Sequence, residues 1–531
     1  MIKYLSGIFS GIFLPGFLLL SCSTNHQEAD TNRVPDDIQE AVNKVSEFAE
    51  KSAQLEIFNE ENCSQFLDEY SKYYIDKHTS YVTPRNQSDV KFLKDNLEST
   101  IKELYQIQTQ VHVRFREFKN PTRKCANSLL QAIRVSRVAI DYLVDWGFDN
   151  GLYREGFDDG FTGPFPHVIE APASDSKEIQ VGDIFLQRGK TFISATIARI
   201  GEADTNVSHL TIVAQDPRTK ALYVVEAEPN TGVHAVPLKE WLAKPVQTRL
   251  IHLRYKEPKV AAVAGNYVYQ WFREAEAKKK NIRYDFKMIP WEYSEIFCSE
   301  LIQAAFDLTS RGKIKVPEFS TSFAEFEGLK FMKQLGVDSK EVFAPGDIEA
   351  DRRFQVLREW RQIGKVKDEK SHFNGVSHLT QNRIQDAAVM SIFKWMFELK
   401  YEFSPNAGSW LGSKLAKAAL AMGIATDLAQ KHVTAKFVNS TIRIMSVVED
   451  IEEQLVAYDK QIKASTRFAP TFRDLLFASN EFRKRDCKTF QDWKAAERRV
   501  VHSNRPGGNV NTARLPEFHR GYSVPDGSCP N

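Results

Sequence analysis

The sequence predicts an α+β protein in which a central domain with an antiparallel sheet is flanked by helical regions. Two periodicities and the break between them carry this expectation. Between 177 and 360, short apolar segments alternate at period two, whereas 35–150 and 361–502 repeat their apolar residues at intervals of three and four. Residues 147–176 separate the first helical region from the first strand and are punctuated by Gly151, Gly156, Gly160, Gly163, Pro164 and Pro166.

The chain opens with a segment of export type. Lys3 supplies a positive charge, and the apolar run from Ile8 to Leu20 is 13 residues long. That is short of the ~20 residues a helix needs to span a bilayer, so residues 1–22 read as a signal peptide rather than a permanent span. The ending Leu19-Leu20-Ser21-Cys22 resembles the bacterial lipoprotein box, which implies that Cys22 is lipidated and becomes the first mature residue. Ser23 after it implies, in a Gram-negative host, the periplasmic face of the outer membrane. Residues 23–34 are polar and read as a tether, and the expected location is a cell envelope reached through a lipid anchor.

From 35 to 150 the pattern is helical. Leu97, Ile101, Leu104, Val111, Phe115 and Phe118 form one seam, with Gln108 in its gap and Ser88-Asp89 as the expected cap. After Pro121 a second helix is expected from Thr122 to Trp146. In the central region, 182–186, 209–214, 222–228 and 250–255 read as strands, and 260–279 and 298–308 as helices. From about Asp351 the pattern reads as helical again, with a stripe at Ile392, Trp395, Met396 and Leu399, a small-residue helix from Leu415 to Ala425, and an amphipathic stretch from Val447 to Ile462. Residues 503–531 read as an irregular tail.

Composition narrows the function. Hydrophobic content of 42%, charged content of 26% and a net charge of +2 describe an ordinary globular chain with no field for nucleic acid. There is no His-Glu-x-x-His, no Cys-x-x-Cys and no phosphate-cradling glycine loop, so neither a metal cofactor nor phosphoryl transfer is expected. Beyond Cys22 and Cys298, the cysteines are Cys63, Cys125, Cys487 and Cys529. Pairing of Cys63 with Cys125 and of Cys487 with Cys529 suits an oxidising compartment, but sequence alone establishes neither.

Cys298 is the candidate nucleophile. It stands where an aromatic-rich stretch (Phe286, Trp291, Tyr293, Phe297) turns into a helix, and the positive end of a helix dipole favours thiolate. The aromatics offer an apolar wall for substrate or simply core. His209 on one strand and Glu226 on the next supply a base and an orienting acid. If Asp216-Pro217-Arg218-Thr219 forms a type I turn, paired residues have numbers summing to 435, which places His209 opposite Glu226. A longer loop, summing to 437, substitutes Glu228, and a slip of one residue leaves no acid on that face. The plainer reading keeps Cys298 in a buried stripe with Leu301, Ile302 and Ala305.

Five segments in order resemble the permuted papain-like amidases, YiiX-like relatives of the NlpC-type cysteine hydrolases. They are 181–185 (Val-Gly-Asp-Ile-Phe), 208–210 (Ser-His-Leu), 225–227 (Val-Glu-Ala), 297–301 (Phe-Cys-Ser-Glu-Leu) and 344–348 (Ala-Pro-Gly-Asp-Ile). The resemblance covers about 180 residues and puts the histidine 89 residues before the cysteine. It implies Cys298 as nucleophile, His209 as base and Glu226 as third residue. The flanking helical regions lie outside the minimal family domain. The expected function is therefore a lipid-anchored envelope thiol hydrolase, an amidase or peptidase acting on cell-wall peptide or an acyl-lipid. The competing expectation is an inactive binding or scaffold protein that keeps the hydrolase fold.

Overall fold

The protein is described from a computed structural model covering residues 38–55, 65–71, 87–155, 167–168, 178–199, 205–229, 231–243, 247–322, 339–398, 435–466 and 468–485, with a few single positions and residue pairs besides. Cys22, the tether 23–34, Leu415–Ala425, Cys487 and Cys529 lie outside the described residues.

The first helical region holds α1 (Ile38–Ala53), α2 (Gln87–Glu117) and α3 (Arg123–Asp149). The whole seam from Leu97 to Phe118 is buried, Gln108 included. The second helix begins after Pro121 because the Thr122 hydroxyl accepts the Cys125 N–H. The first begins at Gln87, which puts Asp89 inside the opening turn rather than before it. A disulfide joins Cys63 to Cys125 across a Cα separation of 5.9 Å.

The central sheet has seven strands: β1 (His167–Val168), β2 (Ile184–Gly189), β3 (His209–Gln215), β4 (Leu222–Glu228), β5 (Gly232–Pro237), β6 (Gln247–Tyr255) and β7 (Phe354–Arg361). Their order is β1-β7-β6-β2-β3-β4-β5, antiparallel throughout. Short helices α4 (Phe192–Ile197) and α5 (Leu238–Ala243) interrupt the strands. Then α6 (Pro258–Ala277) and α7 (Cys298–Ser310) pack on β3. The contact is close: a Cβ at Gly265 of α6 would lie 2.3 Å from the Val213 carbonyl oxygen. Ile184, Leu186, Leu210 and Ile212 pack into the helix-covered core, while Phe185, Val213, Val224 and Trp241 form a separate cluster. Two long helices follow, α8 (His378–Glu398) and α9 (Ala435–Thr466), and a shorter one spans 472–485. Ile392 is buried in α8; the side chains of Trp395 and Met396, and all of Leu399, lie outside the described residues. No helix among the described residues is long and apolar enough to cross a membrane.

Three strands escape the periodicity reading: β1, β5 and β7, the first a two-residue strand in the segment read as a linker. β5 is short and carries Pro237. β7 falls where the sequence reads as the start of a helical region, because Arg358, Glu359 and Arg361 break any apolar alternation. Those charges are nevertheless buried. Arg137 of α3 makes a bidentate pair with Glu349, at 2.7 and 2.5 Å, and reaches Glu359 at 3.1 Å. Glu359 also meets Arg361 at 2.7 Å and Arg249 at 3.1 Å, and both of those arginines meet Asp141 of α3. Three guanidiniums thus face three carboxylates. Burial works to raise the Glu359 pKa, but the surrounding guanidiniums overwhelm it and hold the group at about 2. On the other flank, Asp386 of α8 binds Arg188 of β2 at 2.7 Å and Arg199 at 2.5 Å.

Such a cluster has an asymmetric cost, since removing one partner strands the others in a dry interior. Arg137→Met should lower unfolding stability by about 3–5 kcal/mol, read from the urea midpoint. A loss below about 1 kcal/mol would show that the cluster does not hold α3 to the sheet.

Candidate functional site

Each site residue is placed by a local rule. Phe297 caps α7 with extended backbone (φ −93, ψ 170) and no side-chain hydrogen bond, so Cys298 takes the first helical position. Its sulfur lies 3.9 Å from the Ser299 hydroxyl. Cys298 is the free cysteine among the described residues and is 4% exposed.

The β3–β4 hairpin differs from the expected register. Ile212 pairs with Val225 and Gln215 with Leu222, so paired numbers sum to 437 rather than 435. The cause is the turn. A two-residue type I loop twists against the strands, and hairpins relieve this with a longer loop containing a left-handed residue. Here Asp216 and Ala221 close the loop through the Asp216 N–H at 2.9 Å, and Lys220 adopts φ 61. Asp216 Oδ1 accepts the N–H groups of Arg218 and Thr219, fixing the turn.

The expected replacement of Glu226 by Glu228 nevertheless does not occur. A shift of two residues keeps the same face, so Glu226 becomes the diagonal neighbour of His209. His209 Nε2 and Glu226 Oε2 are 3.0 Å apart. Glu228 is instead a half-exposed residue 3.7 Å from His234. Trp241 Nε1 donates to Glu226 Oε2 at 3.4 Å, and His234 Nε2 lies 3.5 Å from Glu226 Oε1, opposite it on β5. Sequence reasoning missed both partners: β5 was not recognised, and nothing local to Trp241 points to a carboxylate.

The electrostatics follow from these contacts. Burial opposes the charged form of Cys298, but the hydrogen bond and charge of His209, the Ser299 hydroxyl and the Leu210 N–H together lower its pKa. Burial likewise pulls His209 down, yet Cys298 and Glu226 raise it well above the ordinary range. Glu226 is raised by burial and brought down to about 2 by His209 and His234. With Nε2 facing Glu226, Nδ1 is the ring nitrogen available to the thiol. The contacts thus favour the thiolate of Cys298 and the imidazolium of His209, with the Glu226 carboxylate behind the ring.

Two further residues went unnoticed in the sequence. Tyr284 lies in the same cleft, its phenol pKa raised well above normal, first by burial and then by the charge of Cys298 and a hydrogen bond to it. Glu300, two residues after the nucleophile candidate, is fully buried, and neither carboxyl oxygen has a hydrogen-bond partner. Burial and the nearby Asp285 push its pKa up to about 9, so it is neutral at pH 7. A charged carboxylate there would compete with the thiolate for the helix dipole. Of the four aromatics expected to form an apolar wall, Phe297 alone lines the cleft. Trp291 is 40% exposed, and the Tyr293 hydroxyl donates to Asp307. The wall is built instead by Ile197, Met288, Val342, Phe343 and Pro345, around a narrow cleft of about 20 Å³.

The other shared segments support this frame. Asp183 accepts from His252 and Arg254, tying β2 to β6. Gly346 abuts Thr205, where a Cβ would lie 2.4 Å from a methyl group. Asp347, its pKa raised to about 7 by burial, accepts the N–H groups of Thr321 and Ala344.

Residues 178–347 match the family described as permuted papain-like amidase enzyme, YaeF/YiiX, C92 family, and the central domain has that permuted papain-like fold. Among solved structures, the metalloprotein yiiX from Escherichia coli O157:H7 is 22% identical, aligned over 34% of this chain and 98% of its own, with a TM-score of 0.25. No curated protein matches the chain.

The pair predicts a pH signature. Alkylation of Cys298 should stay fast well below the ~8.5 of a free thiol, and in His209→Ala its midpoint should rise toward or above that value. An unchanged midpoint would sever the two residues. Stability follows the same signs. The raised His209 contributes stability present below its unfolded pKa of ~6.5 and lost as pH rises through its higher folded value. The depressed Glu226 contributes stability present above ~4.3 and lost as pH falls toward its folded pKa of about 2.

Proposed function

We propose that this chain is a thiol hydrolase that cleaves an acyl group from an amide or ester through Cys298, His209 and Glu226. The observation that carries this reading is a buried thiol on the first turn of α7, polarised by an imidazole that a carboxylate holds in place. The match to an amidase family supports the same reaction class.

In the proposed cycle the Cys298 thiolate attacks the carbonyl carbon, and the C=O electron pair moves to oxygen. The opening N–H groups of α7, which no side chain caps, are placed to receive that oxyanion, and the Tyr284 hydroxyl borders the same space. His209 gives its proton to the departing nitrogen or oxygen as the C–N or C–O bond breaks, leaving a thioester. The now neutral imidazole takes a proton from water, whose oxygen attacks the thioester. The thiolate leaves and the carboxylic acid departs. Glu226 stays ionised throughout and orients the ring.

The cleft lining favours an acyl-lipid over a cell-wall peptide. Apart from Cys298, Ser299 and Tyr284 its walls are apolar, and among the described residues no Asp, Glu, Lys or Arg lines it. A stem peptide would bring carboxylates and amines that need charged partners when desolvated, whereas an alkyl chain needs only contact. We further propose anchoring through lipidated Cys22. The Cys63–Cys125 disulfide supports an oxidising compartment outside the cytosol.

With nitrophenyl esters of increasing chain length, kcat/KM should climb by up to about fourfold per methylene, the equivalent of ~0.8 kcal/mol, until the cleft fills. A flat or falling series would argue against an acyl pocket. Cys298→Ala should abolish turnover with the fold intact, and residual full activity would end the nucleophile assignment. Cys22→Ala should move the expressed protein from the membrane fraction to the soluble one, and retention on membranes would remove the lipid anchor.

A further inference from the structure

Outside the cleft and outside the segment matching the amidase family, a second cluster of chemically capable side chains forms between the turn at residues 371–375 and helix α9. His372 from the turn faces Glu449 and Glu453, and one donor atom from each of the three lies within 4.8 Å of the others. The two glutamates are four apart on α9 and share a face; Glu452, three after Glu449, lies beside them. Among the described residues the one basic side chain paired with any of these acids is His372. Like charges at this spacing destabilise a helix, so the arrangement asks for a compensating cation.

Glu452 is the observation that points to a ligand. It is 4% exposed, and its Oε2 lies 3.1 Å from His372 Nε2. Its other oxygen, Oε1, is buried with no hydrogen-bond partner. With Nε2 donating to the Glu452 carboxylate, Nδ1 of the neutral ring keeps its lone pair for a ligand. That is the outer-shell arrangement typical of a metal-bound histidine, and an orphaned buried oxygen beside it is suited to a metal-bound water.

We infer that His372, Glu449 and Glu453 form a binding site for a borderline divalent cation of the Zn²⁺ type, with Glu452 as its positioning carboxylate. One imidazole with two carboxylates selects such an ion over Ca²⁺ or Mg²⁺, which prefer oxygen alone. The geometry is reachable. Ligands ~2.05 Å from a tetrahedral ion stand about 3.3 Å apart, so donors now within 4.8 Å must close by at most about 1.5 Å. Glu449 and Glu453 are exposed and free to make that movement by side-chain rotation. Water fills the remaining coordination. Bound metal would staple the 371–375 turn to α9, a link made on the described side by the His372–Glu452 pair.

The test uses the full chain carrying Cys298→Ala, so that the cleft thiol cannot take the ion. After chelator treatment, titration calorimetry with ZnCl₂ should show one saturable site, and Zn²⁺ should raise the midpoint of thermal unfolding. In the double variant Glu449→Gln/Glu453→Gln, whose changes are on the surface, that site and the thermal shift should vanish. Glu452→Gln should weaken binding by about 10–100-fold while leaving one site, the mark of a positioning residue. With Co²⁺, visible absorption bands without a thiolate charge-transfer band should appear and be lost in His372→Ala. No saturable uptake, uptake unchanged in the double variant, or a preference for Ca²⁺ or Mg²⁺ over Zn²⁺ would each overturn the inference.

Discussion

The architecture depends on the buried charge cluster that joins α3 to the sheet. Arg137 and Asp141 come from the helix, Arg249 from β6, Glu359 and Arg361 from β7, and Glu349 from the short helical turn before β7. Every charge is matched, and each member would be untenable without the others. The consequence is that the sheet is not self-sufficient. Strands β6 and β7 present charged residues to a dry interior; Glu359 answers Arg249 and Arg361 within the sheet, and α3 adds Asp141 and Arg137 to the same network. Asp386 of α8 answers Arg188 on β2. The helical flanks are thus part of the domain's electrostatics, even though the family match, residues 178–347, contains neither α3 nor β7 nor α8.

That rigid frame matters for the site because its charges need positioning more than strength. A thiolate beside an imidazolium persists when burial, which penalises both ions, is outweighed by their attraction and by hydrogen bonds aimed at the charged forms. Glu226 meets this need from a diagonal position, with Trp241 donating to the same oxygen and His234 beside the other. Glu300 meets it by default, since burial keeps it neutral and leaves the positive end of α7 to the sulfur.

The cleft is assembled from separate stretches of chain: α4 gives Ile197, the segment before α7 gives Met288 and Phe297, and the 342–345 segment gives Val342, Phe343 and Pro345. Apart from Met288, whose φ of 52 is left-handed, none of these residues is unusual locally. Their apolar character becomes a property of the site only because Gly346 and Asp347 bring the 342–345 segment against Thr205 and Thr321. The lining of the cleft is accordingly a tertiary property, while Cys298, His209 and Glu226 each carry a local signature.

Short-range pattern carries the α+β organisation, the long helices α2 and α3, four of the strands, and the candidacy of Cys298, His209 and Glu226. Each is written in a short-range pattern: apolar repeats at two or at three and four, a proline before a helix, a cysteine where a helix starts. The rest follows from contacts between distant parts of the chain. The register of β3 on β4 turned on whether Lys220 would take a left-handed conformation, and Glu226 kept its place because a shift of two preserves the face. β7 was hidden because its charges are neutralised by residues more than 200 positions away, such as Arg137. The Cys63–Cys125 bond, the neutrality of Glu300 and the lining of the cleft share that cause. They depend on which distant side chains arrive together in a low-dielectric interior, and no local window of sequence carries that information.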